Sequence, residues 1–362
     1  MANTNCSDIH ESFLQLVKLG IGTANSVNIP NNMDWQSLKA LADRQGLTAI
    51  VLDGIECLPD NKRPPQVLLL EWIGEVLQNY EQRYAQYKEV IGSLAEFYNP
   101  HGFKMMVLKG YACSLDWPKP EHRPCGDIDI WLFGQYKEAD AAITKEKGLK
   151  IDSDHHHHTT FTWRDFLVEN HYDFINIHHH KSNIELDRVF KELAADDTYY
   201  IDVFGERVCV PSPTFHAFFL MRHTMNHFSS SEITFRQLLD WAFFVEKHGN
   251  DVDWKWFMME AEQFGMTRLF KVFNAICVED LGFDASIFPQ VQFDPMLKDK
   301  VLKEIIEPSF SGVEPKGVIR RVIFKYKRWK ANSWKHELCY KESMWSAFWS
   351  GVWSHILKPK SI

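Results

Sequence analysis

Asp127 and Asp129 stand one residue apart, directly after Gly126 and at the start of the run Ile128-Asp129-Ile130-Trp131-Leu132. In a strand over 127–132 the period of two sends both carboxylates to one side and Ile128 and Ile130 to the other. Two carboxylates so placed can share divalent cations. A hard ion such as Mg²⁺ takes oxygen ligands and completes its shell with water and phosphate oxygens. Two such ions can hold the attacking and leaving oxygens of an in-line displacement. The chemistry this suggests is phosphoryl or nucleotidyl transfer, with Mg²⁺ (or Mn²⁺) as cofactor. Without cations the charges would crowd and raise one another's pKa. The same spacing also fits a solvated strand edge, so the neighbours matter. Gly126 lets the backbone turn tightly into the strand. Arg123, just ahead of it, can reach a phosphate.

A third carboxylate would complete the centre. In a strand over 166–174, Leu167, Glu169 and His171 share one face. Glu169 is then the third metal ligand, or the base that deprotonates the acceptor. Asp173, two residues beyond His171, competes with it, as do Glu185 and Asp187 in an alternating stretch. Lys109 is either a solvated helix start or a cation aimed at phosphates, at a helix N-terminus that attracts anions. Arg236 and Asp240, four residues apart, can pair across one helical turn and so hold Arg236 toward phosphates. The histidine runs, 155–158 and 178–180, raise a different chemistry. A zinc hydrolase needs converging imidazoles and an open coordination position. Strand alternation would let only His155 with His157, or His156 with His158, converge. His223 and His227 form a further pair at helical spacing, for which packing is the simpler reading.

Leu108-Lys109-Gly110, followed by Arg123-Pro124-x-Gly126-Asp127-Ile128-Asp129, resembles the bacterial nucleotidyltransferase-like family of the polymerase β superfold. Phe166 to His171, ending in acid-x-His, and Arg236-Gln237-Leu238-Leu239-Asp240-Trp241 continue the resemblance over residues 100–250. It implies a metal-dependent enzyme that moves a nucleoside monophosphate from a nucleoside triphosphate to an acceptor: a protein, a sugar or another small molecule. Asp127, Asp129 and Glu169 would be catalytic and metal-binding; Lys109, Gly110, Arg123, Gly126 and Arg236 would bind the nucleotide. The superfold usually carries Gly-Ser or Gly-Gly before the aspartates. Here Tyr111 follows Gly110 and the gap to Asp127 is longer. That departure motivates a second reading, a non-catalytic nucleotide- or partner-binding module on the same fold.

The elements that must position these residues read as α+β. A small mixed sheet over 101–210 lies between helical regions over 1–100 and 211–362. Helices are expected over 8–20, from about 33 to Gln45, and over 66–98, where Leu69, Trp72, Ile73, Val76 and Tyr80 make an apolar stripe. Further helices are expected over 111–115, 135–147, 213–228, 232–247, 253–264 and 266–281. Strands are expected over 104–108, 127–132, 156–163, 166–174, 199–203 and 207–210, with Arg164-Asp165 as a two-residue hairpin turn. The 362 residues carry a formal net charge of −8, which argues against a nucleic-acid partner. Seven scattered cysteines fit reduced thiols, and with no signal segment the expected location is cytoplasmic. The tail interleaves Arg320, Arg321, Lys325, Lys327, Arg328, Lys330 and Lys335 with aromatics, then continues as an amphipathic stripe from Trp345 to Ile356. Such a segment suits a membrane surface or another anionic contact.

Overall fold

A computed structural model describes residues 6–178, 180–195, 198–289, 293–312 and 314–345. The first half of the chain forms α1 (Cys6–Gly20), α2 (Trp35–Gln45), α3 (Thr48–Glu56), α4 (Gln66–Val76), α5 (Arg83–Tyr98), β1 (Met106–Val107), α6 (Lys109–Ser114), β2 (Ile128–Trp131), α7 (Tyr136–Lys147), β3 (His158–Trp163) and β4 (Phe166–His171). The rest forms α8 (Ser182–Ala194), β5 (Tyr200–Val203), β6 (Glu206–Cys209), α9 (Pro213–Ser230), α10 (Phe235–His248), α11 (Trp254–Gln263), α12 (Thr267–Ala275), α13 (Pro295–Ile306), α14 (Val318–Ala331) and α15 (Ser333–Cys339). The fold is α+β: one six-stranded mixed sheet, in the order β3-β4-β2-β1-β6-β5, flanked by helices.

The sheet alternates as its sequence requires. Ile128, Ile130, Val107, Val168 and Val208 face a core shared with α5, α6 and α7. Met106, Trp131 and Cys209 face a larger core built from helices. That larger core joins the first helices of the chain to the last. Phe13 of α1 meets Phe235 of α10 edge to face at 5.6 Å, and Thr23 Oγ1 donates to the Leu281 carbonyl at 2.6 Å. The regions 1–100 and 211–362 are therefore separate only along the chain; their apolar faces close on each other. α3 had no helical period to read, because residues 48–52 are buried all round.

Local chemistry explains the shifts in element ends. α4 continues through a π-helical turn, Leu77–Gln82, into α5, so the stripe over 66–98 is one long helical run. α9 does not stop at Ser229; the Ser229 and Ser230 hydroxyls bond back to the Asn226 carbonyl and the helix reaches Ser230. α10 starts at Phe235 rather than near Glu232, because Thr234 and Gln237 form a capping box. Arg164 and Asp165 both take positive φ, 46° and 67°, the conformation a two-residue hairpin turn with right-handed twist requires. The stretch 184–187, read as strand-like alternation, lies inside α8.

The basic tail divides. α15 docks: Lys335 Nζ reaches Glu304 at 2.6 Å and the Ser231 carbonyl at 3.0 Å, and Trp334 packs on Phe228. α14 instead leaves Ile319, Val322, Ile323 and Tyr326 exposed beside Arg320 and Arg321. The expected amphipathic stripe from Trp345 to Ile356 lies outside the described residues beyond Trp345 itself. Among the described residues no helix is long and apolar enough to cross a membrane.

Candidate active site

β2 and β4 are parallel neighbours, and their register sets Asp129 beside Glu169 and Trp131 beside His171. Side chains at equal register in parallel strands point the same way. Asp129, Glu169 and His171 therefore converge on one face, with ligand atoms within 4.8 Å of one another. Asp127, one residue before β2, lies on the same side and lines the same cleft. The alternate side chain, Asn170, points through the sheet and donates to Asp140 of α7 at 2.9 Å; Thr159 donates to the same carboxylate at 2.7 Å. That buried anchor fixes which face Glu169 takes.

The other candidates for a third carboxylate fall elsewhere. Glu185 is exposed on α8 and pairs with Arg188 at 2.5 Å. Asp187 is buried but accepts from the Phe174 backbone N–H at 2.7 Å and pairs with Lys191 at 2.7 Å. Asp173 lies past the end of β4 and also pairs with Lys191, so it does not follow His171 into the cleft.

Lys109 opens α6 in a left-handed conformation, φ 42°. It is half-buried, and its Nζ lies 2.6 Å from Asp129 Oδ1. The solvated helix-start reading of Lys109 is thereby corrected: the ammonium neutralises a carboxylate that is 4% exposed. His171 Nε2 donates to the same oxygen at 2.9 Å and lies 3.6 Å from Glu169 Oε2. These contacts split the acidic pair. Burial pushes Asp129 up, but Lys109 and His171 prevail and hold its carboxyl well below the usual range. Asp127 is exposed at the cleft rim, and among the described residues no side chain hydrogen-bonds or ion-pairs with its carboxylate. Desolvation by the cleft wall, then the charge of Asp129, pushes it up to about 6. Glu169 is also held low: burial pushes it up, but His171 at 3.6 Å and the charges of His158 and Lys109 together outweigh that. His171 and Lys109 are both raised; burial opposes their charge, and their carboxylate partners overcome it.

Gly110 and Gly126 differ in what they do. A Cβ on Gly110 would stand 2.7 Å from Tyr87 Oη, the hydroxyl that donates to the Asp127 carbonyl at 2.7 Å. Gly110 is thus where α6 closes on the start of β2. Gly126 has no positive φ, and a Cβ there would meet nothing within 4 Å. Its expected tight turn does not require glycine; what it leaves open is the cleft. Tyr111 points away from the cleft and packs on Tyr84 and Tyr87, so the unusual residue after Gly110 serves the core beneath the sheet.

The expected Arg236–Asp240 pair is replaced by a longer-range one. Arg123 Nε and Nη2 donate to the two Asp240 oxygens at 2.7 and 2.9 Å, and Trp117 Nε1 donates to Oδ1 at 2.9 Å. Burial opposes the Arg123 charge, but Asp240 overrides it. Arg236 is left half-buried with Nε unpaired among the described residues. Its pKa is lowered by burial, then by the charge of Arg123. Helical periodicity exposed the four-residue spacing; only the tertiary fold could bring residue 123 to 240.

α9 roofs the cleft. His223 and His227 line it, with ring centroids 4.5 Å apart, and burial followed by the charge of Lys109 lowers the pKa of both imidazoles. On the opposite wall, His157 and His158 approach His171. The expected alternation is corrected here, because His157 precedes β3 in a bend and does not alternate with His158. The cavity between these walls has a volume of about 480 Å³. It holds Lys109, Asp127, Asp129, Glu169, Arg123 and Arg236 along its lining.

A sheet that sets carboxylates on adjacent strands, with a lysine and an arginine whose Nε has no partner among the described residues around one cleft, defines a centre able to hold cations and face an anionic ligand. The chain belongs to the uncharacterised nucleotidyltransferase family, whose model matches residues 31–281. That span includes every carboxylate and cation of the cleft. A solved structure of an antigenic nucleotidyltransferase-like protein from Paracoccidioides brasiliensis is similar over 44% of this chain and 75% of its own, with 14% identity and a TM-score of 0.33. No curated protein matches.

Proposed function

We propose that this nucleotidyltransferase-family chain moves a nucleoside monophosphate from a nucleoside triphosphate to a hydroxyl-bearing protein, sugar or small molecule. The observation that carries the reading is the shared face of Asp127, Asp129 and Glu169 beside Lys109 and Arg236 in one cavity. The residues fit a divalent cation. The donor set is carboxylate oxygen, and Asp127 is an exposed carboxyl whose charge is disfavoured until a cation faces it. Asp127, Asp129 and Glu169 would hold Mg²⁺ or Mn²⁺, which supplies Lewis-acid charge to phosphate oxygens.

The chain's own residues do the remaining work. Arg236 and Lys109 offset phosphate charge, Arg236 through an Nε that has no partner among the described residues. Arg123, clamped by Asp240 and Trp117, supports the wall beside Arg236 and adds positive potential. Glu169, its pKa held low by His171, His158 and Lys109 together, takes the proton of the acceptor hydroxyl. The acceptor oxygen then bonds to the α-phosphorus as the bond to pyrophosphate breaks. Fixed charges aimed at a phosphoryl group lower its barrier without reorganising during the step.

The test is incubation with each α-labelled nucleoside triphosphate and Mg²⁺ or Mn²⁺ in cell lysate, with Asp127→Asn as the control. Label should move to an acceptor with the parent and not with the variant. Nucleotide binding without any transfer, in parent and variant alike, would favour the non-catalytic module. The exposed apolar and basic face of α14 is proposed to meet an anionic membrane surface. Flotation with anionic but not neutral vesicles, weakened by salt, would support that contact.

A further inference from the structure

Two histidines of the cleft wall, His157 and His158, take no direct part in the transfer chemistry, which uses only their neighbour His171. His157, His158 and His171 bring ligand nitrogens within 4.8 Å of one another. Their rings are mutually close, with centroids 4.4 Å apart for His157–His158, 5.5 Å for His157–His171 and 5.2 Å for His158–His171. The backbone holds them there. His158 pairs with His171 across the antiparallel β3–β4 ladder, and the His157 carbonyl accepts from the Tyr172 and Asp173 N–H groups at 3.0 and 3.1 Å.

His157 Nδ1 and His158 Nδ1 are buried and make no hydrogen bond among the described residues. A buried polar atom without a partner is costly in a native protein and asks for an unseen one. The site is also polar: Glu169 Oε2 lies 3.7 Å from His158 Nδ1, on the cleft side. We infer that His157, His158 and His171 form a binding site for a first-row transition-metal ion of the zinc class, beside the carboxylate position that Asp127 and Asp129 offer to a hard cation. Imidazole nitrogen selects zinc, copper, nickel and iron over magnesium. Tetrahedral zinc bonds of about 2.0–2.1 Å place ligand nitrogens about 3.4 Å apart, within reach of small ring movements here. The fourth position falls to Glu169 or to a molecule in the cleft. The two positions meet at His171, whose Nε2 bonds Asp129 at 2.9 Å and whose Nδ1 lies 3.3 Å from the Asp173 carbonyl, so taking up the metal releases one ring proton and one of these bonds. The inference rests on the imidazoles; it shares His171 and Glu169 with the transfer reading, and its test has a readout of its own.

The full chain, stripped of metal, is titrated with Co²⁺ and followed by visible absorption, then with Zn²⁺ in competition. One equivalent of Co²⁺ should give the d–d bands of a low-coordinate nitrogen site, and Zn²⁺ should abolish them. His157→Gln and His158→Gln should each weaken Co²⁺ binding by at least about tenfold, since even outer partners of metal ligands cost that much. Circular dichroism reports folding; if His158→Gln fails to fold, the more exposed His157→Gln carries the test. Absence of the bands in the parent, or bands unchanged in the folded variants, would overturn the site. The Mg²⁺–ATP thermal shift is read in parallel. If His157→Gln keeps it while losing Co²⁺, the two positions are separate. If both vanish together in a folded variant, the separate site is refuted. A parent that binds Co²⁺ as expected but shows no shift with Mg²⁺ and any of the nucleoside triphosphates sinks the transfer reading and leaves this one standing.

Discussion

Asp127→Asn and Asp129→Asn remove the same charge two residues apart, yet the structure predicts opposite effects on stability without metal. Asp129 is 4% exposed and bonds Lys109 at 2.6 Å and His171 at 2.9 Å. Removing one member of a buried ion pair costs about 3–5 kcal/mol, because the other charge is left uncompensated. Asparagine keeps an oxygen for His171, so about 3 kcal/mol is expected for Asp129→Asn. Asp127 has the reverse balance. Its carboxyl rises from 3.8 to about 6. That would be worth about 3 kcal/mol against the folded state at neutral pH if fully desolvated, but the residue is exposed and solvent screening reduces it to about 1 kcal/mol or less. The folded state binds this proton more tightly than the unfolded one. Stability therefore falls as pH rises from about 4 to 6, and the cost persists above that. Asp127→Asn should hold or gain about 1 kcal/mol at pH 7.5, and the gain should vanish at pH 4. Urea melts in chelator, with unchanged m-values, give both numbers. If both variants lose stability equally, or Asp129→Asn is neutral, the assignment of Lys109 and His171 to Asp129 is wrong.

Arg123→Ala should cost about 3–5 kcal/mol in urea melts by stranding the buried Asp240 carboxylate, whereas Arg236→Ala should change stability little and weaken Mg²⁺–ATP binding, read by calorimetry. Gly110→Ala should destabilise by about 1–3 kcal/mol through its clash with Tyr87 Oη, and Tyr87→Phe in the same chain should recover part of that, a coupling above about 0.5 kcal/mol in a double-mutant cycle. Gly126→Ala should fold normally, and any loss of nucleotide binding it causes would mark the cleft mouth. His216 is 5% exposed, with its pKa pushed down to about 4 chiefly by burial, among Cys113, Phe244, Asp116, His248, Asp240 and Arg123. A neutral imidazole stabilises fully above pH 6.5 and loses that contribution as pH falls toward 4, a slope worth about 3 kcal/mol. His216→Leu should flatten this acid limb when urea midpoints at pH 7 and 4.5 are compared.

Period and punctuation made much of this protein legible in its residues. The alternation of Ile128 and Ile130 with Asp127 and Asp129 is local, and it sets the two faces of β2 independently of packing. Arg164-Asp165 between two β-rich runs marked the β3–β4 hairpin, and acid-x-His at its end put Glu169 and His171 on one face. α3 stayed hidden because an element buried on every side has no amphipathic period. Strand alternation also misdirected the histidines, since His157 lies in a bend outside β3. What only the tertiary structure decided was partnership. The parallel register of β2 and β4 joins Asp129 to Glu169 across forty residues, and Asp240 takes Arg123 in place of the Arg236 that shares its helix. Lys109 reaches Asp129 because α6 closes on β2 at Gly110. Spacing along a chain specifies which way a side chain points within its own element. Which charge it meets depends on how elements pack, and burial then makes that meeting strong enough to hold the Asp129 pKa low while that of Asp127, two residues away, is pushed up.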